Sequence, residues 1–162
     1  MKASEVDSAR LRDLALSTPP EKLGFAADSE FPDLYGVIVD WPLGDVVASI
    51  LAPRDGSASL YTTSTFGIIG GGGHASVRAA AQSCVSVAAD CLARSHAVAD
   101  FPLPANDEVY FYLLTYAGVR RCVSDLDALS SGVDTIAPLF DALQEVLTQL
   151  RLTMEERGSD AP

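Results

Sequence analysis

The stretch DEVYFYLLTYAGVRRCVSD, residues 107–125, decides the fold that we predict for this chain. Its first half alternates two sets of apolar side chains, so neither side of that strand suits solvent. The two sets are Val109, Phe111 and Leu113 on one face, and Tyr110, Tyr112, Leu114 and Tyr116 on the other. We therefore predict a central strand that is covered on both faces. Ala117 and Gly118 form the turn into a second strand.

Three more strands are predicted before this hairpin. LYGVIVDW (34–41) and VVASILA (46–52) are rich in β-branched residues, and the Pro and Gly of PLGD (42–45) favour a tight turn between them. PRDGS (53–57) predicts a second turn, which leads into ASLYTTST (58–65). The three runs together predict an antiparallel meander.

Helices are predicted around these strands from apolar positions that repeat every three, four or seven residues. A short helix precedes the prolines at 19 and 20, and a long one spans residues 74–98 with an Asp90–Arg94 pair on its outer side. A last helix begins near Asp134 or Thr135. The core prediction names Cys84, Cys91, Phe111, Leu113, Leu143 and Leu147.

The predicted order is α-β3-α-β2-α, an α+β domain with a mostly antiparallel sheet of about five strands. We expect one domain over residues 1–162, with an ordered core of about 4–152 and a frayed tail at 153–162. This content resembles roadblock and profilin-like domains, which serve as dimerisation and protein-interaction platforms. The likeness is one of architecture, because a roadblock domain places its long helix after two strands and here three precede it.

Several short motifs also resemble a family of small uncharacterised bacterial proteins over about residues 10–152. They are YGVIVDW, GSASLYTTST, GGGGH followed by VRAAA, and YFYLLTYAGV. That family has no established activity. The resemblance therefore implies a bacterial single-domain protein and assigns no catalytic residue.

Charge narrows the possible partners. The chain has 22 acidic and 11 basic residues, a net charge of −11, which opposes binding to nucleic acid or to anionic lipid. Residues 21–45 contain six acidic residues and a single basic one, Lys22. Such a patch favours a basic partner protein. The alternative is an acidic surface that only keeps the protein in solution. The N-terminus lacks an export signal and no apolar run is long enough to span a membrane, so we expect a cytoplasmic protein.

The glycine-rich loop lies in FGIIGGGGHASVRAAA, residues 66–81. A nucleotide-binding P-loop requires Lys where Gly73 stands and a hydroxyl where His74 stands. The looser dinucleotide pattern lacks its second parallel strand with an acid. Two interpretations remain, a packing corner or a site for a small anion at the helix start. The residues of that anion site are Gly70, Gly71, Gly72, Gly73, His74, Ser76 and Arg78.

No residue pattern predicts catalysis, a metal or a cofactor. Cys84, Cys91 and Cys122 are an odd number of cysteines without a C-x-x-C spacing, which is typical of reduced, buried thiols. The paired acids Asp107 and Glu108 occur at a strand start, where solvation is the usual state.

Self-association is predicted from a count of sheet faces. The helix 74–98 covers one face, and the C-terminal helix and the short N-terminal helix must cover the other, so we expect some aromatic residues to stay exposed. They are Trp41, Tyr61, Tyr110 and Tyr112, and for Trp41 the alternative is a lid folded onto the core. A homodimer is the commonest way to bury such a patch. The sequence thus favours a non-catalytic interaction or regulatory module, with a sensor of a small anion at residues 67–74 as the alternative and a hydrolase third.

Overall fold

The computed structural model describes residues 8–63, 67–68, 73–105 and 107–159. Within these ranges the chain forms four α-helices and seven strands. The helices are α1 (Ser8–Ser17), α2 (Ala75–Ala89), α3 (Leu126–Ser131) and α4 (Ala137–Ser159). The strands are β1 (Leu34–Leu43), β2 (Val46–Pro53), β3 (Ser59–Thr62), β4 (Gly67–Ile68), β5 (His96–Ala97), β6 (Glu108–Thr115) and β7 (Gly118–Asp125).

All seven strands belong to one antiparallel sheet in the order β4-β3-β2-β1-β6-β7-β5. The α+β class and the three-strand meander are confirmed. β6 lies inside the sheet between β1 and β7, as the alternating residues of 107–125 predict. The two-residue strands β4 and β5 and the short helix α3 were not predicted.

The first face of the sheet carries the larger core. It is covered by α2 and α4, which pack against each other and against β1 and β2. Of the predicted core residues, Cys84, Cys91, Phe111, Leu113 and Leu143 are buried here, and Leu147 is half-buried. The core prediction is therefore confirmed, with Leu147 at its margin.

The second face carries a smaller core under a thinner cover. Tyr35, Ile38, Tyr112 and Leu114 lie beneath α1, which contributes Leu16. Loop side chains complete the cover: Phe25, Val98 and Phe101. The expectation that the C-terminal helix covers this face is wrong, because the apolar stripe of α4 packs beside α2. The homodimer stays a prediction.

The predicted helix 74–98 is too long, since α2 ends at Ala89. Arg94 does not pair with Asp90; its guanidinium binds Asp134, which lies 40 residues further along the chain. Residues after Asp90 run along β7 instead: Val98 donates to the carbonyl of Val119 at 3.1 Å, and β5 pairs with residues 120 and 121. Contacts with β7 thus replace the last turns of the expected helix.

The C-terminal helices also differ from expectation. Asp125 caps α3 by accepting a hydrogen bond from the amide of Ala128, and Gly132 ends it with a φ of 74°. Asp134, the predicted start of the last helix, is held by Arg94 and Ser124, and α4 begins at Ala137. α4 continues to Ser159, so it occupies most of the segment 153–162 that was expected to fray.

Candidate functional site

The turn between β2 and β3, residues 54–58, is where three parts of the molecule meet. Arg54 holds the segment that precedes β1, and Gly56 lies against the start of α2. Asp55 borders two cavities. We call residues 54–58 the junction.

Arg54 is held in place by neighbours on several sides. Its guanidinium forms an ion pair with Asp28 and donates to the carbonyl of Ala26 and to the hydroxyl of Tyr116, at 2.7 and 2.8 Å. It also lies over the ring of Phe31, 4.8 Å from the centroid. Hydrogen bonds from the Phe31 amide and from Arg54 lower the pKa of Asp28. Arg54 therefore serves the structure of segment 24–33.

An open basin of about 560 Å³ lies beside Arg54. Three carboxylates line it, those of Asp28, Glu30 and Asp55. Arg54 is the basic residue in the lining and Asp28 is its partner, so Glu30 and Asp55 add charge that the lining does not neutralise. The basin is therefore an acidic recess.

The junction also fixes the start of α2. Gly56 has a φ of +84°, and a Cβ at this position would lie 2.1 Å from Cγ of Arg78. Arg78, on the first turn of α2, therefore packs directly on the junction backbone. Arg78 and Ser76 are exposed, and His74 precedes α2 without capping it through its side chain.

The predicted anion site at the glycine loop falls partly outside the described residues. Gly70, Gly71 and Gly72 lie there, whereas Gly73 is exposed and has open space around its Cα. The structure brings Arg78 to the junction through its aliphatic stem. The anion site stays a prediction.

A cavity of about 320 Å³ lies between α1 and the second face of the sheet. Leu11, Leu14 and Ala15 form its α1 wall, and Leu51 and Leu114 belong to the sheet. Rim residues Leu14 and Leu23 are 50% and 47% exposed. Among the described residues that line this cavity, Asp55 is the single charged one.

Two tyrosines in the cavity lining have hydroxyl groups that form no hydrogen bond within the described part of the chain. Tyr35 is 3% exposed and Tyr61 is 7% exposed, and neither hydroxyl has a hydrogen-bond partner among the described residues. Every fully enclosed side-chain nitrogen or oxygen in that part of the chain has a partner. Each hydroxyl therefore keeps an accessible side. Both tyrosines line this cavity, and Tyr61 also lines a neighbouring cavity beside Arg12. Burial, followed by the nearby charge of Glu21, raises the pKa of Tyr35.

A buried ion pair, which sequence analysis missed, lies under α1. Arg12 donates to both carboxylate oxygens of Asp40 at 3.1 Å from Nε, and Ser49 donates to the same carboxylate. Arg12 also binds the carbonyl of Phe101 and lies over the ring of Tyr112. The lone Asp within the apolar run LYGVIVDW was the available signal, because a buried carboxylate requires a partner.

The aromatic residues predicted for an interface are mostly covered. Tyr112 is buried and donates to the carbonyl of Pro102 at 2.7 Å, and Tyr61 is buried in the cavity wall, so the expectation that they are exposed is wrong. Tyr110 is half-buried under Arg121. Trp41 packs edge-on against Phe140 with 5.0 Å between centroids, which supports its alternative as a lid on the core.

The acidic run 21–45 does not form one patch. Asp28 and Asp40 are paired with arginines, and Asp45 lies at the far end of β1 from Asp33. Ten residues of strand separate those ends by about 30 Å. Of the others, Glu30 lines the basin beside the junction and Glu21 lies near Tyr35.

Cys84, Cys91 and Cys122 are buried and form no disulfide with one another, as predicted. Burial raises the pKa of Cys84 to about 12 and that of Cys122 to about 11. No three His, Cys, Asp or Glu side chains are grouped as metal ligands in the described ranges. Nor does any helix there have both the length and the apolar character needed to cross a membrane.

No protein-family model, curated protein or solved structure matches this chain. The residue roles given above therefore rest on the geometry of the chain itself. The resemblances noted from its motifs and its architecture stay predictions.

Proposed function

We propose that this protein is a non-catalytic interaction module that binds a basic partner protein at the acidic basin beside the junction. The observation that carries the proposal is the acidic basin, in which Glu30 and Asp55 form no ion pair with any basic residue that the structure describes. An uncompensated pair of carboxylates in a recess attracts and orients a basic segment.

The distribution of the arginines supports the same proposal. Among the described residues, Arg12, Arg54 and Arg94 form ion pairs with Asp40, Asp28 and Asp134. Arg120 binds Ser95, and Arg121 lies over Tyr110. These three ion pairs remove equal numbers of positive and negative charges, so the net charge of −11 resides on the remaining groups.

The experiment compares two double variants with the same change of charge. Glu30→Gln/Asp55→Asn removes the basin charges, and Asp141→Asn/Glu156→Gln removes two exposed charges of α4. The probe is a short lysine-rich peptide, titrated against each protein at low and moderate salt, with its glutamate counterpart as a negative control. We expect the basin variant to weaken binding at least about fivefold and the α4 variant less than about twofold.

Screening by salt is expected because the charges are exposed. Equal losses in the two variants mean attraction to the net charge alone and overturn the proposal. Absence of peptide binding to the native protein at low salt overturns it as well.

A further inference from the structure

The cavity under α1 has the size and lining of a small-molecule site. Its volume of about 320 Å³ lies at the lower end of the range for ligand pockets. A water molecule occupies about 30 Å³ of liquid, so the cavity accommodates roughly ten non-hydrogen atoms. The cavity is separate from the acidic basin and shares only Phe25 and Asp55 with it.

Polar groups within this apolar lining restrict the chemistry of a ligand. The hydroxyls of Tyr35 and Tyr61 lack partners within the described chain, although both side chains are more than nine-tenths buried. Because each hydroxyl keeps an accessible side, it is available to donate a hydrogen bond to a ligand or to accept one from it.

Asp55 sets the preferred charge. Its Oδ1 accepts hydrogen bonds from the amide and the hydroxyl of Ser57, which leaves Oδ2 without a partner among the described residues. No described basic side chain lines the cavity, and Glu21 adds negative charge near Tyr35. An anionic ligand is disfavoured, and a cationic group at the Asp55 end is favoured.

We propose that this cavity binds a small primary amine with an apolar body, such as an arylalkylamine. The apolar body lies among Leu11, Leu51 and Leu114. The ammonium group faces Asp55, and Tyr35 and Tyr61 supply the hydroxyl contacts. This inference does not rest on the partner-binding function, because the basin is tested with a peptide and the cavity with a small molecule.

The experiment uses two probes of similar size and opposite charge, 2-phenylethylamine and 3-phenylpropionate. Both are titrated against the whole chain while the tyrosine fluorescence and the heat of binding are recorded. The amine should bind with a dissociation constant of about 1 mM or tighter, and at least about tenfold more tightly than the acid.

Variants assign the binding to the cavity. Asp55→Asn keeps the oxygen that Ser57 binds and should abolish the preference for the amine. Leu51→Trp fills the cavity and should abolish binding, with Ala15→Met as a second filling variant on the α1 wall. Asp45→Asn, at the far end of β1, is the matched control and should leave binding unchanged.

Three outcomes overturn the proposal. They are equal or tighter binding of the acid, amine binding that survives both filling variants, and no amine binding to the native protein. Self-association that the filling variants abolish, without amine binding, would assign the cavity to a second copy instead. Glu30→Gln lies in the basin alone, so loss of peptide binding there with amine binding intact separates the two proposals.

Discussion

The two faces of the sheet differ in how they are closed. The first face lies under helices of 15 and 23 residues, α2 and α4, and its core is continuous and apolar. The second face lies under the ten-residue helix α1 and loop segments, and it contains a cavity and a buried ion pair. Segments with few apolar contacts open most readily, and binding surfaces are drawn from them. The second face is therefore where we place ligand binding, and the first face provides the stable base.

The ion pair gives the largest expected effect. Asp40→Ala leaves Arg12 buried without its partner and should lower the free energy of unfolding by about 3–5 kcal/mol. Replacing both residues, as Arg12→Met/Asp40→Leu, should recover much of the loss because no unpaired charge remains. Denaturant unfolding monitored by circular dichroism measures both. A loss below about 1 kcal/mol for Asp40→Ala would show that α1 does not depend on this pair.

Two neighbouring leucines on β6 point to opposite faces of the sheet, so their substitution compares how tightly the two faces are packed. Leu113 points into the first-face core, whereas Leu114 lines the cavity of the second face. Leu113→Ala creates an enclosed void and should cost about 3–5 kcal/mol, while Leu114→Ala enlarges an existing open space and should cost about 2 kcal/mol. The same unfolding measurement tests the difference. Equal costs would mean that the second face is as tightly closed as the first.

Lowering the pH should weaken the contacts of Asp134 with Arg94 and Ser124 at the margin of the first face. Burial opposes the charge of Asp134, but hydrogen bonds from Arg94, Ser124 and the Ile136 amide outweigh it and lower its pKa from 3.8 to about 2. A carboxyl whose pKa is lowered by folding stabilises the protein above its unfolded pKa, and this contribution is lost as pH falls from about 4 to about 2.

Asp134→Asn should therefore cost about 2 kcal/mol at neutral pH and progressively less below pH 4. Urea unfolding across this pH range gives the difference from the native protein. Asp141→Asn, at an exposed position of α4, is the control and should change the free energy of unfolding at neutral pH by less than about 0.5 kcal/mol. A constant difference at all pH values would contradict the role of the ionised carboxylate.

Local sequence patterns predicted the parts of the fold that depend on local chemistry. Alternation in β6 predicted its central position, and the turn residues of PLGD and PRDGS predicted the meander. The end of α2 was not predictable in this way, because Arg94 leaves the helix for Asp134, 40 residues away. Likewise, Arg12 and Asp40 are 28 residues apart, and only folding brings them together.

The candidate site was less predictable than the fold. Sequence reasoning emphasised the glycine loop, since glycines and a following helix resemble known phosphate sites. The cavity forms from α1, β1, β2, β3 and β6 with loop residues, and no contiguous motif marks it. Tyr35 and Tyr61 were predictable as strand residues, but their unpaired hydroxyls follow from three-dimensional packing.

Among the described residues, the outer strands β4 and β5 contribute two residues each, and residues 96–98 pair with β7. Fibril growth requires a long row of free backbone amides onto which another molecule adds its own strand. The most β-prone runs of this chain, in β1 and β6, lie inside the sheet where both neighbours are already paired. Residues 96–98 occupy part of the outer edge of β7, so another molecule has less of that edge on which to add a strand.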